Sequence, residues 1–332
     1  MMREIGSEFW SVPTVQQNNG FFPEDTRWFL SGRSALTCIL EDIRKHTPAK
    51  TAALPAWCCD SMIKPFADMG FSLRFYSVYP ENGRLVQDFS AAEGADVWLV
   101  MDYFGYTGPL PPRTDAIVIR DLTHSIFSRR YDDAQYCFGS LRKWAGFYTG
   151  GFAWGLAQQN LPENEGYVAM RSDAMAQKEQ YILGNSSGKG YLAVFGEAEE
   201  LLEDCPLAGA AQRDILLAQK LDIACIRDRR RENAAILLEA FSDVALFPTL
   251  REGDCPLFVP ILVPDGKRDE LRKRLIQNEI YCPVHWPLTQ YHKIDRRSAA
   301  IYENELSLVC DQRYGANHME RIIETVKNFW KD

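Results

Sequence analysis

The chain lacks a basic excess. Its 37 Lys and Arg stand against 45 Asp and Glu, for a net charge of −8. Phosphate backbones are held by clustered cations, so nucleic acid is excluded as the main partner. The one basic run, Arg227 to Arg231, lies in a helical pattern and reads as a solvated helix face. No window approaches the ~18 apolar residues of a membrane span. The opening MMREIGSEFW has no apolar stretch of the signal-peptide kind.

Metal signatures are also missing. The nine cysteines are scattered apart from the adjacent Cys58 and Cys59, and none shows CxxC spacing. The five histidines form no HExxH-like cluster. A metal enzyme is therefore not expected, and a cytoplasmic setting with reduced thiols is. Internal repeats and low-complexity segments are absent as well. What is present is an ordinary globular composition, 46% hydrophobic and 25% charged over 332 residues. A core of that size needs no disulfide or metal to hold it.

From residue 31 to 156, apolar strand-like runs alternate with helical patterns. A helix is predicted over 34–43, with Leu36, Ile39, Leu40 and Ile43 on one face, and another over 61–69. Strands are predicted over 52–57, 73–78, 97–103, 116–120, 136–140 and 151–156, several bounded by Gly, Pro or Asp. Crossover segments between strands imply a mainly parallel sheet with helices on both faces. Residues 196–241 read as helices, with 214–241 taken as one long helix. A strand over 257–263 and helices over 268–281 and 318–330 then suggest a small α+β unit. The expected organisation is an N-terminal arm and large α/β domain over 1–225, followed by a small C-terminal α+β domain over 226–332.

In open parallel sheets, ligands bind beyond the carboxyl ends of the strands. Three stretches place polar residues there. SGRSAL, 31–36, runs from a Gly turn into an amphipathic helix. It reads either as an N-cap and a turn, or as a phosphate cradle built from backbone N–H groups, hydroxyls and Arg33. AIVIRDLTHS, 116–125, puts Asp121 directly after a run rich in β-branched residues, with His124 three residues on. Such an acid can cap a helix, ligate a metal or hold a proton on a ring nitrogen. GSLRKWAGFYTGG, 139–151, puts Lys143 between Ser140 and Gly150-Gly151. A lysine there is either a solvated loop residue or a nucleophile toward a carbonyl. The order matters more than any one stretch. A phosphate turn, a strand-end acid and a lysine 22 residues after it are the parts that pyridoxal 5′-phosphate (PLP) needs.

These stretches resemble the DegT/DnrJ/StrS sugar aminotransferases, a branch of the fold-type I, aspartate-aminotransferase-like PLP enzymes. The likeness runs from about residue 28 to 330. FLSGRSAL is similar to the family's phosphate-binding turn, which places Gly32, Arg33 and Ser34 in that role. LPAWCCDSMIKPFADMGFSLRFYSV resembles the segment that lays an aromatic over the cofactor ring, here Trp57. VIRDLTHSIFS carries the pyridine-nitrogen acid onto Asp121 and a ring contact onto His124. YCFGSLRKWAGFYTGGFAWG carries the Schiff-base lysine onto Lys143, with Ser140 on the phosphate. LGNSSGKG resembles a loop whose Asn, here Asn185, reaches a neighbouring subunit's cofactor phosphate. VHWPL and LSLVCDQRY resemble elements of the small domain, where His285 and Tyr314 either approach substrate or serve the structure.

The resemblance departs at the lysine. The family usually has Thr before it, Asn after it and Ser five residues earlier; here Arg142, Trp144 and Phe138 stand there. What it implies is an aminotransferase carrying an amino group from a donor such as glutamate to a keto sugar or nucleotide-linked keto sugar. It further implies PLP as cofactor and a C₂ homodimer. Two alternatives share the fold: a PLP-dependent dehydratase or eliminase, and a non-catalytic binding protein.

Overall fold

The computed structural model describes residues 4–16, 20–108, 110–129, 133–157, 160–204 and 207–331. Among these described residues, twelve strands and nine α-helices follow in chain order. The first half holds β1 (Ile5–Gly6), β2 (Arg27–Phe29), α1 (Gly32–His46), β3 (Thr51–Pro55), α2 (Asp60–Asp68), β4 (Ser72–Glu81) and β5 (Arg84–Asp88). Next come β6 (Val97–Met101), β7 (Ile117–Asp121), β8 (Tyr136–Ser140), β9 (Gly151–Trp154), α3 (Glu165–Leu183) and α4 (Tyr191–Asp204). The remainder holds α5 (Gln212–Ala218), α6 (Ile223–Phe241), β10 (Phe258–Leu262), α7 (Arg268–Gln277), β11 (Ile280–Tyr281), α8 (Arg296–Asn304), β12 (Glu305–Val309) and α9 (Ala316–Lys331). No helix among the described residues is long and apolar enough to cross a membrane.

The chain divides into two compact units. The first comprises Glu8–Thr47 and Tyr136–Ile223. Its strands β2, β9 and β8 pair antiparallel in that order. Helix α1 packs on all three of these strands. It begins two residues earlier than its apolar stripe suggests, because Ser31 caps it. The Ser31 hydroxyl accepts a hydrogen bond from the Ser34 N–H at 3.1 Å. Leu36, Ile39, Leu40 and Ile43 are buried as the periodicity requires, and Arg44, Lys45 and His46 close the last turn against the helix dipole.

The single helix expected over 214–241 is two helices. The chain between α5 and α6 also bonds to the N-terminal arm: the Val15 N–H donates to the Lys220 carbonyl and the Asp222 N–H to the Pro13 carbonyl. Tertiary pairing overrides helix propensity there.

The second unit comprises Glu4–Ser7, Pro48–Gln135 and Ala224–Asp332. Within it β7, β6, β3 and β4 are parallel neighbours and β5 closes the edge antiparallel to β4. A separate antiparallel pair, β10 with β12, and a parallel pair, β1 with β11, complete its sheets. Strands β3, β6 and β7 are almost wholly buried, as parallel strands covered on both faces are.

Helix α8 packs on β4 through its cap. Asp295 accepts from the Ser298 N–H at 2.8 Å and from the Ser77 hydroxyl at 2.5 Å. Burial pushes the Asp295 carboxyl up, but these bonds and Arg297 more than reverse it, bringing it to about 2. A depressed native pKa contributes stability above the unfolded value, lost as pH falls through the native one. Asp295 is mostly exposed, so solvent screening reduces the gain well below the nominal shift. Asp295→Ala is therefore expected to cost about 1 kcal/mol at pH 7. That difference should fade between the ordinary value of 3.8 and about 2, as measured by urea unfolding across that range.

Candidate cofactor site

The first unit brings together stretches far apart in sequence. Strand β2 delivers the chain to Ser31, and the first turn of α1 follows at once. Phe29 pairs with Gly151, so the cap loop lies against the start of β9. A Cβ on Gly151 would sit 2.1 Å from the Ser31 carbonyl oxygen, which no side chain tolerates. A Cβ on Gly32 would lie 3.4 Å from the Gly139 oxygen and 3.6 Å from Ser140 Cβ. The turn SGRS is thus held against the carboxyl end of β8. Ser34 is fully buried and its hydroxyl lies 3.1 Å from that of Ser31.

Lys143 ends a short 3₁₀ turn directly after β8. The turn is pinned where the Leu141 N–H donates to the Gly150 carbonyl at 2.9 Å and the Trp144 N–H to the Leu141 carbonyl at 2.9 Å. The two flanking residues that depart from the family pattern have tasks of their own. Trp144 is fully buried core. Arg142 donates to Glu199, which also takes Arg171 at 3.4 Å, while a second Arg171 nitrogen reaches Glu8 at 3.4 Å. Burial pushes the Glu8 carboxyl up, yet Arg171, Arg142 and Lys178 together hold it below its ordinary value. Of the three consecutive residues only Lys143 is exposed.

Asn185 lies just past α3, whose last turn is closed by Gly184 in the left-handed region at φ 84°. Its side-chain amide donates to Gln180 Oε1 at 2.8 Å and is exposed. It is not drawn to Gly32, Ser34 or Ser140 by any contact among the described residues of its own unit.

The second unit carries Trp57, Asp121 and His124. Asp121 is the last residue of β7, 3% exposed, and its Oδ1 accepts the Thr123 N–H at 2.7 Å. This bond turns the chain sharply so that His124 follows on the buried side. The Phe104 N–H donates to His124 Nδ1 at 3.4 Å.

Trp57 leaves β3 fully buried, stacked on Tyr103 with centroids 4.9 Å apart. Its indole N–H donates to the His285 carbonyl at 2.7 Å, and the Tyr103 hydroxyl donates to the Trp57 carbonyl at 2.6 Å. The neighbouring Cys58 is inert: burial pushes its thiol up, and Cys59 and Asp121 push it further.

Trp286 joins these residues, and sequence reasoning missed it as a site residue. Its indole stacks on His124 at 5.4 Å and meets Trp57 edge-on at 5.6 Å. Phe104 fills the remaining side, 5.0 Å from His124 and 5.6 Å from Trp57. The only advance signal was an aromatic beside His285 in VHWPL. His285 packs beside His124, with ring centroids 5.6 Å apart, and both His285 and Tyr314 make buried hydrogen bonds. His285 binds the Ser307 hydroxyl at 2.9 Å and its N–H donates to Glu305 at 2.7 Å. The Tyr314 hydroxyl accepts the Gly6 N–H at 2.8 Å.

Missed too was an ion triad at the ends of β6 and β7. Arg120 is 1% exposed and donates to Asp102 at 3.0 Å and to Asp133 at 2.9 Å.

Each unit, taken by itself, carries chemistry suited to one part of the PLP group. Arg33 Nε is buried and meets no hydrogen-bond partner among the described residues, beside a 15-residue helix N-terminus with two hydroxyls. That is the chemistry of a phosphate cradle. Asp121 is a buried strand-end carboxylate, the group needed beside a protonated ring nitrogen.

No family model and no curated protein matches the sequence. Solved structures do match. Helicobacter pylori PseC, an aminotransferase of pseudoaminic acid biosynthesis, is 13% identical with a TM-score of 0.65 over 98% of this chain and 100% of its own. A putative sugar aminotransferase of Streptococcus pneumoniae, in its PMP form, is 14% identical at 0.64 over 96% and 91%. A DegT DnrJ EryC1 StrS aminotransferase of Brucella abortus is 16% identical at 0.58 over 92% and 85%. Across nearly its whole length, the chain has the fold of the fold-type I sugar aminotransferases.

Proposed function

We propose that the protein is a PLP-dependent aminotransferase that moves an amino group from an amino acid such as glutamate to a keto sugar or nucleotide-linked keto sugar. The observation that carries this is the packing of the SGRS turn on Gly139, Ser140 and Gly151, which lie on either side of an exposed Lys143. Similar folds that were solved with PMP support the same reading. The large domain would span 1–225 and the small one 226–332.

Gly32, Arg33, Ser34 and Ser140 would hold the phosphate, and Asp121 would keep a proton on the ring nitrogen. Trp57 would cover the ring, and His124 would contact the ring or its phenolic oxygen. In a C₂ homodimer Asn185 would reach the phosphate of the neighbouring subunit. When bound, the cofactor supplies an electron sink for a carbanion at the substrate Cα. Lys143 would hold the cofactor, and its free amine would take and return the Cα proton. Its exposure leaves it open to an incoming substrate amine. Arg142 and Trp144 fix the turn that presents it, so these two departures from the family pattern lie in the support and not in the lysine.

The test is a half-reaction. The protein reconstituted with PLP should show a visible band that glutamate bleaches in a single turnover as the pyridoxamine form accumulates. A band that glutamate leaves intact would favour elimination chemistry over transamination. Absence of any band after reconstitution would leave the non-catalytic reading.

A further inference from the structure

The second unit encloses a cavity of about 350 Å³ under the β4–β5 hairpin. That size lies within the range of small-molecule sites. One wall is aromatic: Tyr106 and Phe247 lie face to face, centroids 4.4 Å apart and planes within 6°. The hairpin forms a roof. Asn82 and Gly83 both take positive φ in its turn, and a Cβ on Gly83 would touch Pro248 at 3.4 Å. None of the candidate cofactor residues lines this space.

The polar groups of the lining are unevenly satisfied. Tyr106 is 2% exposed, and its hydroxyl meets no partner among the described residues. Asp254 is occupied: it accepts from the Thr107 N–H at 2.8 Å, the Thr107 hydroxyl at 2.6 Å and the Arg251 N–H at 2.8 Å. The exposed charges in the lining are the guanidinium groups of Arg84 and Arg251.

We propose that this cavity is a binding site for a small planar aromatic molecule carrying an anionic group. The ring lies along the Tyr106–Phe247 wall, where offset stacking adds to area burial. The anion meets Arg84 and Arg251, whose planar forks suit carboxylate or phosphate.

Saturation-transfer NMR on the full-length protein tests this with three probes: 4-hydroxybenzoate, benzamidine and cyclohexanecarboxylate. 4-Hydroxybenzoate should bind with a Kd of about 1 mM or tighter, and the cationic and non-planar probes at least about tenfold more weakly. Arg84→Glu combined with Arg251→Glu changes two exposed side chains and should weaken 4-hydroxybenzoate at least about tenfold without moving the urea midpoint. Thr249→Trp, at another exposed lining position, should block it by filling the mouth. Equal binding of all three probes, no binding of 4-hydroxybenzoate, or binding unchanged in both variants would each overturn the proposal.

Discussion

Lys143→Ala is expected to lose transamination by at least about 10³-fold while unfolding at the wild-type urea midpoint. General-base catalysis alone accounts for roughly 10²–10⁴-fold, and the same substitution would remove the amine proposed to hold the cofactor. Stability is spared because the side chain is exposed. Packing at this turn belongs to its neighbours: Trp144 is fully buried and Arg142 is paired with Glu199. Trp144→Ala should therefore behave oppositely, costing about 3–5 kcal/mol through the cavity it leaves. A Lys143→Ala enzyme retaining activity within tenfold of wild type would remove this lysine from the mechanism.

The second large effect concerns stability. Arg120→Ala is expected to destabilise the protein by about 3–5 kcal/mol at pH 7, because it leaves Asp102 buried and unpaired. Burial already pushes the Asp102 carboxyl up, with Arg120 pulling it down and Asp133 adding to the rise. A carboxyl whose pKa is raised on folding binds its proton more tightly in the native state. Its contribution is present at acid pH and lost as pH rises through the native value. Removing Arg120 raises that value further, so the destabilisation should shrink as pH is lowered toward 5. Urea unfolding of both proteins at pH 7 and pH 5 reads the difference. The double variant Arg120→Met with Asp102→Leu should recover most of the loss at pH 7, since an apolar pair replaces a broken ionic one. An equal deficit at both pH values would show that lost packing, and not the stranded carboxylate, causes it.

How much of this was legible depended on whether a signal was local. Strand β8 was readable to the residue, because Tyr136–Ser140 is an apolar run ended by a turn. Asp121 was visible as the acid closing a run rich in β-branched residues. The caps were visible too, but the exact start of α1 needed the Ser31 bond.

Helix α3 escaped notice for a physical reason. Its buried face is Tyr167, Arg171, Ala174, Met175, Lys178 and Tyr181, a clean helical spacing with two cations inside it. Read for apolar residues alone, the stripe has gaps. The cations are tolerated because Arg171 pairs with Glu8 and Glu199, and Lys178 lies 5.4 Å from the Trp10 ring. The Trp286 stack on His124 joins residues 162 apart in sequence, and nothing local announces it. Arg120 carried a signal that was not used: a charged residue inside the buried run AIVIRD calls for buried carboxylates nearby.

Borohydride trapping bears most directly on the central claim. The wild-type protein, reconstituted with PLP and reduced, should be digested and its peptides mapped by mass. One pyridoxyl adduct on Lys143 is the predicted result, absent from Lys143→Ala treated alike. An adduct on another lysine, or none at all, would contradict it.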